Sequence, residues 1–157
     1  MNKKVKFLLI TLAVITVIGA SISACMALMP KASLKPSDYD MGVTYEQAAL
    51  EEKPILAVFY VDWCTYCQRF MPKLNTLRKM NKNDINVVLI NVDDPKNEKI
   101  SKENRITGFP TVYILDPKYD NRVHIDSVYL DTVASLNKEV QRYLNFRNLV
   151  TKGGKCK

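Results

Sequence analysis

The pattern of apolar and polar positions predicts four β-strands in this chain. A continuous apolar run, residues 54–61, has the length of a strand that is buried on both faces, and residues 85–92, INVVLINV, predict a second buried strand. A third run, residues 110–115, and a partly alternating segment, residues 122–130, predict two more strands. The turn sequence DPKYDN separates these last two, which favours an antiparallel hairpin.

Helical periodicity separates the strands. Residues 44–53 begin with Thr44 in the position of an N-cap and predict a short helix. Residues 67–82 carry apolar side chains at offsets of three and four and predict a longer helix, in which Pro72 predicts a kink. The apolar residues of that face are Phe70, Leu74, Leu77 and Met80.

Two more helices are predicted in the second half of the chain. Residues 95–105 predict a short exposed helix, and residues 131–150 predict a terminal helix that begins at an Asp131 cap. Since two strands joined through a helix form a right-handed parallel crossover, the chain is predicted to be α/β. Its fold would be a mixed central β-sheet flanked by helices.

The first 29 residues have the layout of a membrane-targeting segment. A basic head, MNKKVK, precedes thirteen uncharged residues and a group of small residues, as in an export signal. The apolar stretch is also long enough to span a bilayer as a helix. Residues 30–43 are predicted to be a linker, residues 44–150 the folded domain and residues 151–157 a loose tail.

The sequence ISAC, residues 22–25, resembles the lipobox of bacterial lipoprotein signals. That resemblance implies that Cys25 carries lipid and forms the mature N-terminus, whereas an uncleaved membrane helix is the alternative. In both cases the basic head stays in the cytoplasm. We therefore expect membrane attachment in a bacterial cell envelope, with the domain on the exported side.

Composition narrows the function classes. A hydrophobic content of 47% is enough for a packed core. The formal net charge of +7 includes the lysines of the basic head, and the remaining lysines alternate with acids. Without a dense basic block, nucleic-acid binding is not expected.

Two cysteines, Cys64 and Cys67, lie two residues apart where a predicted buried strand meets a helix. A helix N-terminus favours the thiolate form of a cysteine, and a second thiol one turn later can resolve a mixed disulfide. A zinc site would need about four ligands, but the chain has one histidine, His124, and no second CxxC. Haem attachment would need a histidine where Gln68 stands, and a structural disulfide across so short a loop would stabilise little. Redox chemistry therefore fits best.

The segment FYVDWCTYC resembles the active-site strand, tryptophan and CxxC of thioredoxin-like proteins. Pro72 falls where that family kinks its active-site helix, and TGFPT, residues 107–111, resembles the segment with its cis-proline. The resemblance implies a thioredoxin-like fold over about residues 44–147. It also implies a cis Pro110 that faces the disulfide, and a substrate groove that Phe109 helps to frame. Trp63 and Tyr66 are further candidates for this groove; the alternatives are that Trp63 covers a core edge and that Tyr66 is simply exposed.

The sequence departs from thioredoxins at two places. They bury an aspartate beneath the disulfide, near a lysine on the neighbouring strand, whereas here these positions are Val58 and Leu89. Asp62 or a water molecule would then have to accept the proton. The dipeptide Thr65-Tyr66 also replaces Gly-Pro and does not fix the direction of electron flow.

The expected function is thiol–disulfide exchange with exported proteins at the outer face of a membrane. Cys64 would attack, Cys67 would resolve, and their disulfide would be the only redox cofactor, without a metal. A membrane redox partner would exchange electrons with a monomeric enzyme. The alternative is a thioredoxin-fold binding or folding-assistance module without redox turnover. His124 is expected at the surface, and Cys156 is expected to be free and accessory.

Overall fold

The computed structural model describes residues 4, 11, 12, 15 and 34–153, in two units that divide after Ser33. The predicted lipobox around Cys25 and the tail cysteine Cys156 lie outside the described residues. Within the described part of the chain, no helix has both the length and the apolar content required to cross a membrane.

A mixed four-stranded sheet forms the centre of the second unit, in the order β2-β1-β3-β4. β1 and β2 are parallel, and β3 runs antiparallel to both β1 and β4. The sheet confirms the predicted α/β fold class and the predicted hairpin. The strands are β1 (Ile55–Tyr60), β2 (Asn86–Asn91), β3 (Thr111–Asp116) and β4 (Asn121–Ile125).

Helices precede, connect and follow these strands in the predicted order. The α-helices are α1 (Tyr45–Ala49), α2 (Thr65–Met80), α3 (Glu98–Glu103) and α4 (Val133–Gly153). Thr44 caps α1 as predicted, because its side chain accepts the Gln47 N–H while the Gln47 side chain accepts the Thr44 N–H. Within residues 34–153, the fold also contains three short 3₁₀ helices, Pro36–Asp38, Pro95–Asn97 and Ser127–Leu130.

Every residue of β1 is buried, which explains its unbroken apolar run. Because side chains alternate across a strand, Leu56 and Val58 face a core cluster that also contains buried residues of α2 and α4. Ile55 and Phe59 face a second cluster, which includes Ala48 of α1 and Ile100 of α3. Helices therefore cover both faces of the central strand.

Several predicted details of the helices are wrong. Met80 is 56% exposed, and Met71 takes its place in the buried face of α2. The buried face continues through Asn81, which is 2% exposed and bonded to Asn137, so Met80 points away from the core. The short helix at residues 98–103 is not fully exposed, since Ile100 and Ser101 are buried.

The fourth strand and the last helix also have different limits from those predicted. β4 ends at Ile125, and residues 127–130 form a 3₁₀ helix that Asp126 caps by accepting the Val128 N–H. Thr132, not Asp131, caps α4, because its Oγ1 accepts the Ser135 N–H at 3.0 Å. α4 then continues to Gly153, three residues into the segment predicted as a tail.

Candidate active site

Cys64 and Cys67 lie at the N-terminus of α2, directly beyond the carboxyl end of β1. Cys64 is the N-cap of the helix, and its Sγ accepts the Cys67 N–H at 3.3 Å. The Cys64 N–H donates to the Val61 carbonyl, and the Gln68 side chain donates to the Asp62 carbonyl, so both flanks of the turn are held. A negative charge on Cys64 Sγ would face unpaired N–H groups of the first turn.

The two thiols are free and differ in access to solvent. Cys64 keeps 8% of its surface exposed, whereas Cys67 is completely buried. Burial, together with the interaction with the Cys64 side chain, raises the pKa of Cys67 to about 12. The arrangement suits an attacking Cys64 and a resolving Cys67.

The loop before β3 lies against Cys64. Its Phe109–Pro110 peptide bond is cis, which confirms the predicted conformation of Pro110. The Phe109 carbonyl oxygen is 3.5 Å from Cys64 Sγ, within reach of the thiol as a donor. A backbone carbonyl and a thiol are thus brought together although they are 45 residues apart in sequence.

Two exposed aromatic residues stand on either side of Cys64 in the sequence. The Trp63 ring is 70% exposed and meets Phe109 edge-on, with the ring centres 6.0 Å apart. Its Nε1–H donates to Asp93 Oδ2 at 3.0 Å. On the other side, Tyr66 is 74% exposed. Exposed aromatic side chains beside a nucleophile offer apolar area to a bound chain.

A groove of about 400 Å³ opens between α2 and the loops before β3 and α4, and we call it the α2 groove. It brings together three of the four predicted groove residues, Tyr66, Phe109 and Pro110, whereas Trp63 packs against Phe109 but does not line the groove. The other lining residues are Arg69, Phe70, Lys73, Ser127, Leu130 and Asp131.

Apolar side chains occupy the position beneath the dithiol. Val58 and Leu89 are opposite each other in the register of β1 and β2, as expected for an apolar pair that replaces aspartate and lysine. Val58 is completely buried in the cluster that contains Cys67. Asp62, the alternative proton acceptor suggested by the sequence, has its carboxylate held by the Ser37 N–H (3.0 Å) and hydroxyl (2.8 Å).

Three residues near the site were not identified from the sequence. Asp93 follows β2, and since the carboxyl ends of parallel strands meet at one edge, its position next to Trp63 could have been predicted. Ser37 and Arg69 offered no comparable signal. Ser37 lies in a segment without periodicity, and Arg69 is one of several cations on its helix.

The remaining predicted residues have no place in the site. His124 lies in β4 and is exposed, with its ring against Tyr113, which confirms its predicted surface position. Among the described residues, no three His, Cys, Asp or Glu side chains come close enough together to hold a metal ion. The redox group of this fold is the cysteine pair itself.

Sequence comparison places the domain among known proteins. The family model Thioredoxin matches residues 34–141. Thioredoxin-like protein HCF164 of Arabidopsis thaliana chloroplasts is 33% identical over 75 residues, which cover 48% of this chain and 29% of that protein. Human protein disulfide-isomerase A4 is 30% identical over 86 residues, or 54% of this chain and 13% of that protein. The chain therefore spans less than a third of the length of either relative.

Solved structures show the same architecture. Chloroplastic thioredoxin z superposes with a TM-score of 0.53 at 22% identity, over 64% of this chain and 89% of that chain. The J-Trx1 fragment of ERdj5 also gives a TM-score of 0.53, at 16% identity, over 64% of this chain and 46% of that chain. At these identities the likeness concerns the fold.

Proposed function

The chain belongs to the thioredoxin family, and we propose that it is a membrane-tethered thiol–disulfide oxidoreductase that acts on exported proteins. The observation that carries the proposal is the pair formed by Cys64 and Cys67. The accessible thiol caps α2 and touches the Phe109 carbonyl, while the buried thiol follows one turn later. This geometry supports two successive exchange reactions on one substrate.

In the reducing direction, the Cys64 thiolate attacks one sulfur of a substrate disulfide. A Cys64–substrate mixed disulfide forms, and the released substrate sulfur takes up a proton. Cys67 then loses its proton and attacks Cys64 Sγ, which forms the Cys64–Cys67 disulfide and releases the second substrate thiol. Two electrons pass from the dithiol to the substrate, and the same steps in reverse oxidise a substrate dithiol.

Each chemical group at the site has a role in these steps. The first turn of α2 stabilises negative charge on Cys64, both as the attacking group and as the leaving group. The Phe109 carbonyl and the cis Pro110 edge the α2 groove beside Cys64, where an extended polypeptide would lie. Exposed Trp63 and Tyr66 would pack against that polypeptide on either side.

The first test is replacement of Cys64 by alanine, which is expected to abolish disulfide exchange with a protein substrate. Cys156→Ala is the matched control and is expected to retain the activity of the parent. Full activity in the Cys64→Ala variant would contradict the proposal. Peptide binding retained by a Cys64→Ala/Cys67→Ala variant, with no turnover in the parent, would instead favour a binding module.

The reduction potential of the Cys64–Cys67 pair would give the direction of electron flow. Equilibration with glutathione or dithiothreitol would show a value near about −270 mV for a reductase, or near about −120 mV for an oxidant. A reductase at the outer face of a membrane needs a membrane partner that supplies electrons. An oxidant needs a partner that removes them.

The location is proposed from the first 29 residues, with their basic head, apolar stretch and ISAC sequence. In a lipoprotein, Cys25→Ser is expected to prevent lipid attachment and cleavage, so the variant would keep its leader and migrate as a larger protein. An uncleaved membrane helix would give the same size for parent and variant. Labelling of Cys64 by a membrane-impermeant thiol reagent in whole cells tests the exported side, and protection of Cys64 until lysis would contradict it.

A further inference from the structure

The α2 groove is lined by a cation, Arg69, that forms no ion pair among the described residues. We propose that Arg69 makes the enzyme prefer polypeptide substrates with an acidic side chain close to the reacting cysteine. This inference rests on the proposed function, since it assigns a substrate class to the same site.

The position of Arg69 follows from the helix that carries the dithiol. α2 contains four cationic residues, Arg69, Lys73, Arg78 and Lys79, and no acidic residue. Arg69 and Lys73 are four residues apart, so they lie on the same face of the helix, and both line the α2 groove. A substrate chain bonded to Cys64 through this groove would pass these two side chains.

The two cations differ in what they bind. Lys73 is half-buried, and its Nζ donates to the carbonyl oxygens of Leu130 (3.2 Å) and Asp131 (2.5 Å), with the Asp131 carboxylate 3.9 Å away. Lys73 therefore holds the opposite wall of the groove. Arg69 is exposed, and no carboxylate of the described residues lies within 4.0 Å of its guanidinium. Its charge is the one available to a ligand.

Carboxylates lie next to Trp63, outside the α2 groove. Asp93 accepts the Trp63 indole N–H, and Asp62, whose carboxylate is bound to Ser37, directly precedes Trp63 in the chain. An acidic substrate side chain is repelled from the Trp63 side and attracted to the Arg69 side. The preference should therefore hold on one side of the substrate cysteine and not on the other.

Single-turnover exchange with synthetic peptides tests the proposal. Each peptide carries one cysteine as a mixed disulfide with thionitrobenzoate, and Asp, Asn or Lys stands two residues before or two residues after it. The reduced full chain, purified in detergent, releases thionitrobenzoate when Cys64 attacks the peptide sulfur. The same peptides with free dithiothreitol give their intrinsic reactivity, by which each rate constant is divided.

On one side of the cysteine, the Asp peptide is expected to react about two- to five-fold faster than the Asn peptide. This ratio of rate constants corresponds to the free energy of a partly exposed ion pair. Lys should be slower than Asn at that position, and 1 M salt should remove both differences. The preference should disappear in Arg69→Gln. It should persist in Lys79→Gln, which removes the same charge from the same helix far from the groove.

Two results would overturn the inference. One is equal corrected rates for Asp and Asn peptides on both sides, with ordinary Cys64-dependent release, which would leave the proposed function intact. The other is a preference that survives in Arg69→Gln. Release that is equally slow in the parent and in Cys64→Ala would overturn the proposed function together with this inference.

Discussion

Cys67 lies in an environment that opposes its ionisation. It is completely buried, its neighbours Val58 and Phe70 are buried apolar side chains, and burial is the largest cause of its raised pKa. No carboxylate contributes to that shift, in contrast to thioredoxins with a buried aspartate. Resolution of the mixed disulfide requires the Cys67 thiolate. The rate of this second step should therefore be limited by deprotonation of the Cys67 thiol.

We therefore expect release of the substrate from Cys64 to accelerate about tenfold for each pH unit between pH 6 and pH 8. The reason is that burial, the largest cause of the raised pKa of Cys67, persists in the mixed disulfide, and the thiolate fraction of a group whose pKa lies well above 8 grows in proportion to hydroxide concentration throughout that range. Quenched-flow mass spectrometry of the mixed disulfide gives the rate. Cys67→Ser should trap the intermediate at every pH, and a release rate in the parent that does not change with pH would contradict the expectation.

At the scale of the elements, the apolar periodicity predicted helix α2 but not every residue of its buried face. Phe70, Leu74 and Leu77 are buried as predicted, whereas Met71 replaces Met80. Both methionines fit offsets of three or four residues, and only the point through which the buried face continues, Asn81 rather than Met80, distinguishes them. That point depends on packing against α4, which the local pattern does not contain.

The pairing of β1 with β2 could be predicted more closely. Val58 and Leu89 were expected to replace an aspartate–lysine pair, and they are in register in the parallel ladder. β1 is a continuous apolar run, and β2 carries four consecutive apolar residues between Asn86 and Asn91. The chain therefore keeps the two positions opposite each other, as the resemblance implies, but occupies them with apolar instead of charged side chains.

We expect Val58→Asp to lower the free energy of unfolding by about 3 kcal/mol, because it places an unpaired carboxylate in a fully buried position. Leu89→Lys alone should cost less, since Leu89 is only partly buried and a lysine can extend its amine to solvent. In the double variant the two charges can pair, so at least about 1 kcal/mol should be recovered. Urea unfolding of the four proteins measures this coupling, and strictly additive losses would contradict it.

At the scale of the whole molecule, contacts between distant segments were the least predictable. Ser37 binds Asp62 from 25 residues away, in a part of the chain that composition alone identifies as a linker. Met41 in the same segment is buried in the core cluster of Cys67. No periodicity marks these residues, because a segment that packs through single side chains leaves no repeat in the sequence.

The longest of these contacts joins α4 to the sheet through a buried carboxylate. Asp116, at the end of β3, is 1% exposed and accepts the Tyr143 hydroxyl (2.9 Å) and Arg147 Nε (2.6 Å). Burial, followed by the hydrogen bond to Asp116, raises the pKa of Tyr143 to about 12. The Arg147 guanidinium also donates to the Glu52 carbonyl before β1, so one ion pair connects three parts of the domain.

Asp116→Ala is expected to lower the free energy of unfolding by about 3–5 kcal/mol, because it leaves Arg147 and the Tyr143 hydroxyl without their partner in a buried place. Glu98→Ala is the control: it removes an exposed carboxylate from its pair with Lys102 and should cost less than about 1 kcal/mol. Urea unfolding measures both. The Cys64–Cys67 reduction potential should be the same in both folded variants, since Asp116 lies at the opposite end of β3 from Thr111 and Pro110. A loss below about 1 kcal/mol for Asp116→Ala would show that α4 is held by its apolar face alone.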